Sequence, residues 1–209
     1  MDHLQQLIQR YPELSYIKSD IQRAKDTIAN SFTTGGKLLI AGNGGSAADA
    51  EHIVGELMKN FIKKRKLPKE FLEKLKKEDR EISEYLISHL QPGLPAINLS
   101  NHMSLNTACI NDIDGHISFS QQLYAYAKAG DVFLGISTSG NAKNVLYAAV
   151  TAKARDLKVI ALTGSDGGNL KGIADVVIIV PENETYKIQE LHLPVYHCLC
   201  LMLEESFFP

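Results

Sequence analysis

The strongest constraint on the fold is a repeated local rhythm: a short apolar run, a turn of glycine or small hydroxyl residues, then a helical pattern. Lys37-Leu38-Leu39-Ile40-Ala41 is apolar almost throughout, as a strand covered on both faces must be. Gly42-Asn43-Gly44-Gly45-Ser46 follows at once, and a helical pattern runs from Ala47 to about Met58. Ala96-Ile97-Asn98-Leu99 reads as a second strand. A third, Asp131 to Ile136, ends in Ser137-Thr138-Ser139-Gly140-Asn141 before a helix through Arg155. Lys158 to Thr163 is a fourth, with Gly164-Ser165-Asp166-Gly167-Gly168 behind it. Val176 to Val180 is a fifth, stopped by Pro181, and a last helix is expected from about Ile188 to Glu205. Five buried strands alternating with helices predict an α/β fold: a doubly wound, three-layer α/β/α sandwich around a five-stranded parallel sheet. In such sheets ligands bind outside the carboxyl ends of the strands, where all these turns fall.

Two segments stand outside the rhythm within one domain spanning residues 1–209. Residues 1–34 read as N-terminal helices, with Leu4 to Phe32 in two pieces broken near Pro12. Ile17, Ile21, Ala24 and Ile28 share one face of the second piece, and Gly35-Gly36 stops it. Residues 60–93 read as an inserted helical segment whose charges, from Lys63-Lys64-Arg65-Lys66 to Arg80, form a solvated face. The formal net charge of −2 argues against a general nucleic-acid binder. Three cysteines without CxxC spacing give neither a disulfide framework nor a zinc ribbon, and read as small buried hydrophobes. The first residues lack a basic stretch followed by an apolar one, and no apolar run reaches the roughly 20 residues of a membrane span. A soluble cytoplasmic protein without membrane or nucleic-acid partners is therefore expected.

The turns carry the chemistry. Ser137-Thr138-Ser139 places three hydroxyls where a helix N-terminus offers unpaired N–H groups and positive dipole; capping needs only one, so the motif points to phosphate. Asn43-Gly44-Gly45-Ser46 is neither GxGxxG in register nor a P-loop, so no nucleotide cofactor is expected. The turn suits close backbone approach to a small polar ligand. His52 and Glu56 lie at i and i+4 on one helix face just beyond it, a pair able to bind metal or to move protons. Gln189, Glu190, His192 and His197 lie on the last helix. Gln189 and His197 would rise about 12 Å apart along it, and meet at one site only where Pro194 bends the helix or a second subunit supplies one of them.

Taken in order, Gly42 through His52, Asn111-Asp112, Gly135 through Asn141, Leu162-Thr163-Gly164 and Ile188-Gln189-Glu190 resemble the sugar isomerase (SIS) domain, most closely its sedoheptulose 7-phosphate isomerase branch. The resemblance spans nearly the whole chain apart from the charged insertion. It implies conversion of sedoheptulose 7-phosphate to D-glycero-D-manno-heptose 7-phosphate in a homotetramer with active sites between subunits. Glu56 and His197 are implied to do the proton work. Substrate contacts are implied for Asn43, Gly44, Gly45, Asn111, Asp112, Ser137, Thr138, Ser139 and Gln189, with Ser46 completing the first loop. Zinc, one ion per subunit, is implied at His52, Glu56, Gln189 and His197. Two departures stand out: Ala142 replaces a serine usual in the family, and the insertion from about Lys66 to Gln91 is longer than usual. They leave open an isomerase of another phosphosugar. A non-catalytic relative that binds a replication initiator is a further alternative, but such relatives lack the counterparts of Glu56 and His197. A sugar-phosphate-sensing regulator would join this domain to a DNA-binding one.

Overall fold

The computed structural model of the protein describes residues 2–209. All five expected strands form: β1 (Leu38–Ala41), β2 (Ala96–Asn98), β3 (Val132–Ile136), β4 (Lys158–Thr163) and β5 (Val176–Ile179). They pair in parallel in the order β2-β1-β3-β4-β5. Side chains alternate across a strand, so each apolar run serves two cores. Leu38 and Ile40 join Leu134, Ile160 and Ile178 on one face. Leu39 and Ala41 join Phe133, Val159 and Ala161 on the other. Parallel strands need crossover connections, and helices supply both outer layers.

On the first face pack α1 (His3–Arg10), α2 (Lys18–Thr33), α3 (Gly45–Met58) and the long α9 (Thr185–Phe207). A 3-10 turn, Pro12–Ile17, separates α1 from α2 where the proline was expected to break the pattern. Ile17, Ile21, Ala24 and Ile28 are all buried. On the second face lie α7 (Ser118–Tyr126) and α8 (Lys143–Ala154). Between β2 and α7 the chain forms α6 (Met103–Asp112). The sequence pattern did not mark α6 or α7: α6 buries only Cys109, and the buried face of α7 mixes Ser118 and Gln122 with Phe119 and Leu123. All three cysteines are free and buried.

The insertion holds two short helices, α4 (Lys69–Leu75) and α5 (Arg80–His89), with Ser83 as their one buried residue. Its first part departs from the solvated face expected of it. The Arg65 side chain is 0% exposed and pairs with Glu204, 1% exposed, at 3.0 Å. Arg65 also donates to the carbonyls of Leu57 (2.7 Å), Glu56 (3.2 Å) and Pro92 (3.3 Å), and lies over the Phe208 ring. The carbonyls closing α3 have no helical partner, and a guanidinium satisfies two of them with one rigid fork. Glu204 accepts in turn from the backbone N–H groups of Phe61, Ile62 and Lys63.

Candidate active site

Order 2-1-3-4-5 reverses direction between β1 and β3, so the loops leaving these two strands part there and open a crevice. The β1 loop ends at Gly44, whose φ of +54° is the left-handed region that glycine enters without steric cost. Ser100 Oγ donates to the Gly42 carbonyl at 2.9 Å and ties this loop to the end of β2. Asn43 and Asn144 exchange amide hydrogen bonds of 2.9 and 2.8 Å, linking the β1 loop to the first turn of α8.

The hydroxyl loop leaves β3 with Ser137 buried, Thr138 half-buried and Ser139 exposed. It turns at Gly140, φ +64°, which packs against the Gly167 carbonyl so closely that a side chain would collide with backbone. The Leu170 N–H donates to the Gly140 carbonyl at 3.0 Å, and Asn141 Oδ1 accepts from the Asn169 N–H at 3.0 Å. The loop after β4 thus braces the hydroxyl loop. Ala142 occupies the N-cap of α8 and gives no side-chain capping bond. A cavity of about 680 Å³ opens beside it, lined by Asn43, Ile110, His116, Ala142, Lys143 and Asn144.

Glu56 and His52 point from the same face of α3, with His52 Nε2 3.3 Å from Glu56 Oε1. The Glu56 side chain is 13% exposed, and Lys59 reaches its other oxygen at 3.1 Å. His197, from α9, sets its ring edge-on to His52 with centroids 4.9 Å apart, and Phe61 packs on it at 5.5 Å. Burial, and secondarily the charge of His52, lowers the His197 pKa against an opposing pull from Glu56. A neutral imidazole is thereby favoured, able to accept a proton or to offer a lone pair. His197 also faces a cavity of about 520 Å³ between α1 and α9, lined by His3, Tyr11, Phe61 and Leu193.

α9 runs through Pro194 without ending. The carbonyl that this proline leaves without its helical donor is that of Glu190, an exposed residue, so water can satisfy it. Gln189 and His197 therefore do not meet by a break in the helix. Gln189 stands against the β1 loop, where a Cβ added to Gly45 would lie 2.5 Å from its Nε2. His197, two turns on, stands against His52 and Phe61. Asn111 and Asp112 end α6, both exposed, with Asn111 Nδ2 donating to Asp112 Oδ1 at 2.7 Å. Ile110, from the turn before them, reaches the 680 Å³ cavity.

Zinc was implied at His52, Glu56, Gln189 and His197. Two imidazoles and a carboxylate have the donor chemistry of a zinc site, and His197 Nε2 is buried without a hydrogen-bond partner, so the side chains fit the ion. Among the described residues, however, no three His, Cys, Asp or Glu side chains form a ready-made cluster. Sequence reasoning passed over the groups behind these: Lys59 on Glu56, Asn144 on Asn43, Phe61 on His197, and Tyr196, whose hydroxyl lies 3.0 Å from His52 Nδ1. The i,i+3 spacing of Lys59 from Glu56 and the adjacency of Tyr196 to His197 were the signals the sequence held.

Comparison with known proteins places these features in context. The model of a family described as the SIS domain matches residues 2–86 and 85–164. A phosphoheptose isomerase of Helicobacter hepaticus is 42% identical over 186 residues, which cover 89% of this chain and 82% of that protein. A probable phosphoheptose isomerase of Thermoplasma acidophilum is 41% identical, covering 87% of this chain and 86% of that one. The solved structure of a phosphoheptose isomerase from Neisseria gonorrhoeae superposes with a TM-score of 0.76 at 32% identity, covering 97% of this chain and 95% of the other.

Proposed function

Because this chain belongs to the SIS-domain family, and its relatives at about 40% identity are phosphoheptose isomerases, we propose that it is a phosphosugar isomerase converting sedoheptulose 7-phosphate to D-glycero-D-manno-heptose 7-phosphate. The observation that carries the reading is the convergence of Glu56, from α3, and His197, from α9, on His52.

Ketose–aldose interconversion removes a proton from the carbon beside a carbonyl and returns it one carbon along. A carboxylate can carry that proton, and Glu56 is the half-sheltered one here. Lys59 must leave Oε2 for that oxygen to reach carbon. In this reading Glu56 takes the proton, a cis-enediol forms, and Glu56 returns the proton to the neighbouring carbon. His197, held neutral by burial, moves protons between the sugar oxygens and assists ring opening. The phosphate rests on Ser137, Thr138 and Ser139, with the N-terminus of α8 behind them. Asn43, Gly44, Gly45, Ser46 and Gln189 flank the sugar, and Asn111 and Asp112 approach from the end of α6.

Zinc, held by His52, Glu56 and His197, with Gln189 as the fourth donor where a second subunit supplies it, would supply positive charge for the oxygen on which negative charge develops. A homotetramer with sites between subunits is part of the same proposal. Its support is a set of large apolar side chains left exposed on α6, the turn after it and α8: Met103 79%, Ile110 66%, Ile113 68% and Val150 55%. No helix among the described residues is long and apolar enough to cross a membrane, and we place the enzyme in the cytoplasm.

The test is turnover of purified protein with sedoheptulose 7-phosphate, with and without added zinc, read as aldoheptose phosphate by NMR. Conversion that disappears in Glu56→Gln, with substrate binding kept, is the expected result. No conversion under either condition would overturn the substrate assignment.

A further inference from the structure

The first turn of α8 is charged against the interest of its own helix. A helix N-terminus is the positive end of the dipole, where an aspartate or glutamate stabilises and a cation does the reverse. α8 has no acidic residue in its first turn, and it opens on Lys143. Lys143 forms no ion pair among the described residues. The one carboxylate lining the same 680 Å³ cavity, Asp114, is engaged by His116. It accepts from the His116 N–H at 2.7 Å and lies 2.8 Å from the Nδ1 of that ring.

Backbone donors add to this positive charge. Ala142, at the N-cap, has no side-chain acceptor to offer them. Asn144 Oδ1 takes the Val145 N–H at 3.0 Å. The N–H groups of Lys143 and Asn144 are left without an acceptor among the described residues. All of this stands directly behind Ser137-Thr138-Ser139, whose hydroxyls are neutral. A phosphate monoester carries about two negative charges at neutral pH, and a helix end supplies only about half of one positive charge. Hydroxyls and dipole can hold such an anion but leave it far from neutralised. Lys143 is the cation at hand, because it shares its cavity with Ala142, which closes the hydroxyl loop, and with Asn43 of the β1 loop.

We propose that Lys143 contacts and neutralises the phosphate of the substrate, and so makes this site selective for a phosphorylated sugar. The role rests on the isomerase reading for the sugar, and on the hydroxyl loop for the place of the phosphate. A cation at the head of α8 then stops being a defect, since the anion lies between the ammonium and the helix end.

Binding is measured by phosphorus NMR titration with inorganic phosphate, at low and high ionic strength, in wild type, Lys143→Met and Lys143→Arg. The methionine keeps an unbranched stem and removes the charge. It should weaken binding by roughly 10–100-fold, the worth of one hydrogen bond to a charged group, and flatten the salt dependence. The arginine keeps the charge and should bind close to wild type. With sedoheptulose 7-phosphate the same loss should appear in KM, with kcat largely kept. Thermal unfolding without phosphate separates binding from folding: Lys143→Met should leave the midpoint unchanged or slightly raised, because a cation has left the positive end of α8. Equal phosphate affinity in wild type and Lys143→Met would overturn the role, even in an active isomerase. A lowered midpoint in Lys143→Met would overturn it too, since the lysine would then be holding the fold. So would a wild type that binds no phosphate. A wild type that binds phosphate through Lys143 but leaves sedoheptulose 7-phosphate unchanged would remove the sugar assignment alone.

Discussion

Replacing Glu204 with leucine should cost more than any substitution of similar size elsewhere on α9. Burial by itself would raise the Glu204 carboxyl, yet the N–H groups of Ile62, Phe61 and Lys63 and the Arg65 guanidinium together hold it below its ordinary value. The variant removes the acceptor of all these donors and strands Arg65, 0% exposed, without a counter-charge. Breaking a buried pair from one side typically costs about 3–5 kcal/mol, a large share of the roughly 5–15 kcal/mol that stabilises a domain. With a urea m-value of about 3 kcal/mol/M, the unfolding midpoint should fall by roughly 1–1.7 M. Urea titrations at one fixed protein concentration measure this, since any assembly adds stability of its own. The double variant Arg65→Met/Glu204→Leu should recover most of the loss, because both desolvated charges are then gone. A loss below about 1 kcal/mol in Glu204→Leu, the value of an exposed pair, would refute the view that this network clamps the end of α3 to α9.

Four further outcomes are expected. Ser139→Ala should raise KM by roughly 10–100-fold, the worth of one hydrogen bond to a charged group, with kcat largely kept in steady-state assays. Gly45→Ala puts a Cβ 2.5 Å from the flexible end of Gln189, so kcat/KM should drop while the thermal midpoint hardly moves. Gly140→Ala should instead lower stability by at least about 1–2 kcal/mol, because its φ of +64° is strained for alanine and the opposing Gly167 carbonyl cannot yield; thermal unfolding distinguishes the two. Burial lowers the His192 pKa from 6.5 to about 4. The unfolded chain therefore takes up a proton that the native state refuses, and stability should fall by about 3 kcal/mol as pH drops through that window. Denaturant curves of His192→Asn should show a flatter pH dependence, and an identical slope would refute this assignment.

Much of the architecture is written locally. A parallel strand covered on both faces must be apolar along its whole length, so Leu38–Ala41, Val132–Ile136 and Lys158–Thr163 stand out as runs. The turns after them need glycines or hydroxyls for reasons of backbone geometry, so the loops flanking the crevice are equally visible. The His52–Glu56 pair is legible because helical spacing alone puts the two on one face. α6 was not, since a helix that buries only Cys109 leaves no periodic apolar signal.

What only the tertiary structure decided is which distant groups meet. Charge patterning cannot tell a solvated arginine from one that fills a hole, and Arg65 lies in a run of basic residues while its partner, Glu204, lies on the last helix. Helix periodicity separates Gln189 from His197 but cannot say that the first meets the β1 loop and the second meets α3. Nor can it place the Tyr196 hydroxyl on His52. The amino-acid order by itself determined the sheet, its turns and the kind of chemistry they invite, because those follow from neighbours along the chain. The pairing of α9 with α3, and with it the meeting of His197 with His52, follows from packing two helices against one sheet face, which is settled only when the whole chain is folded.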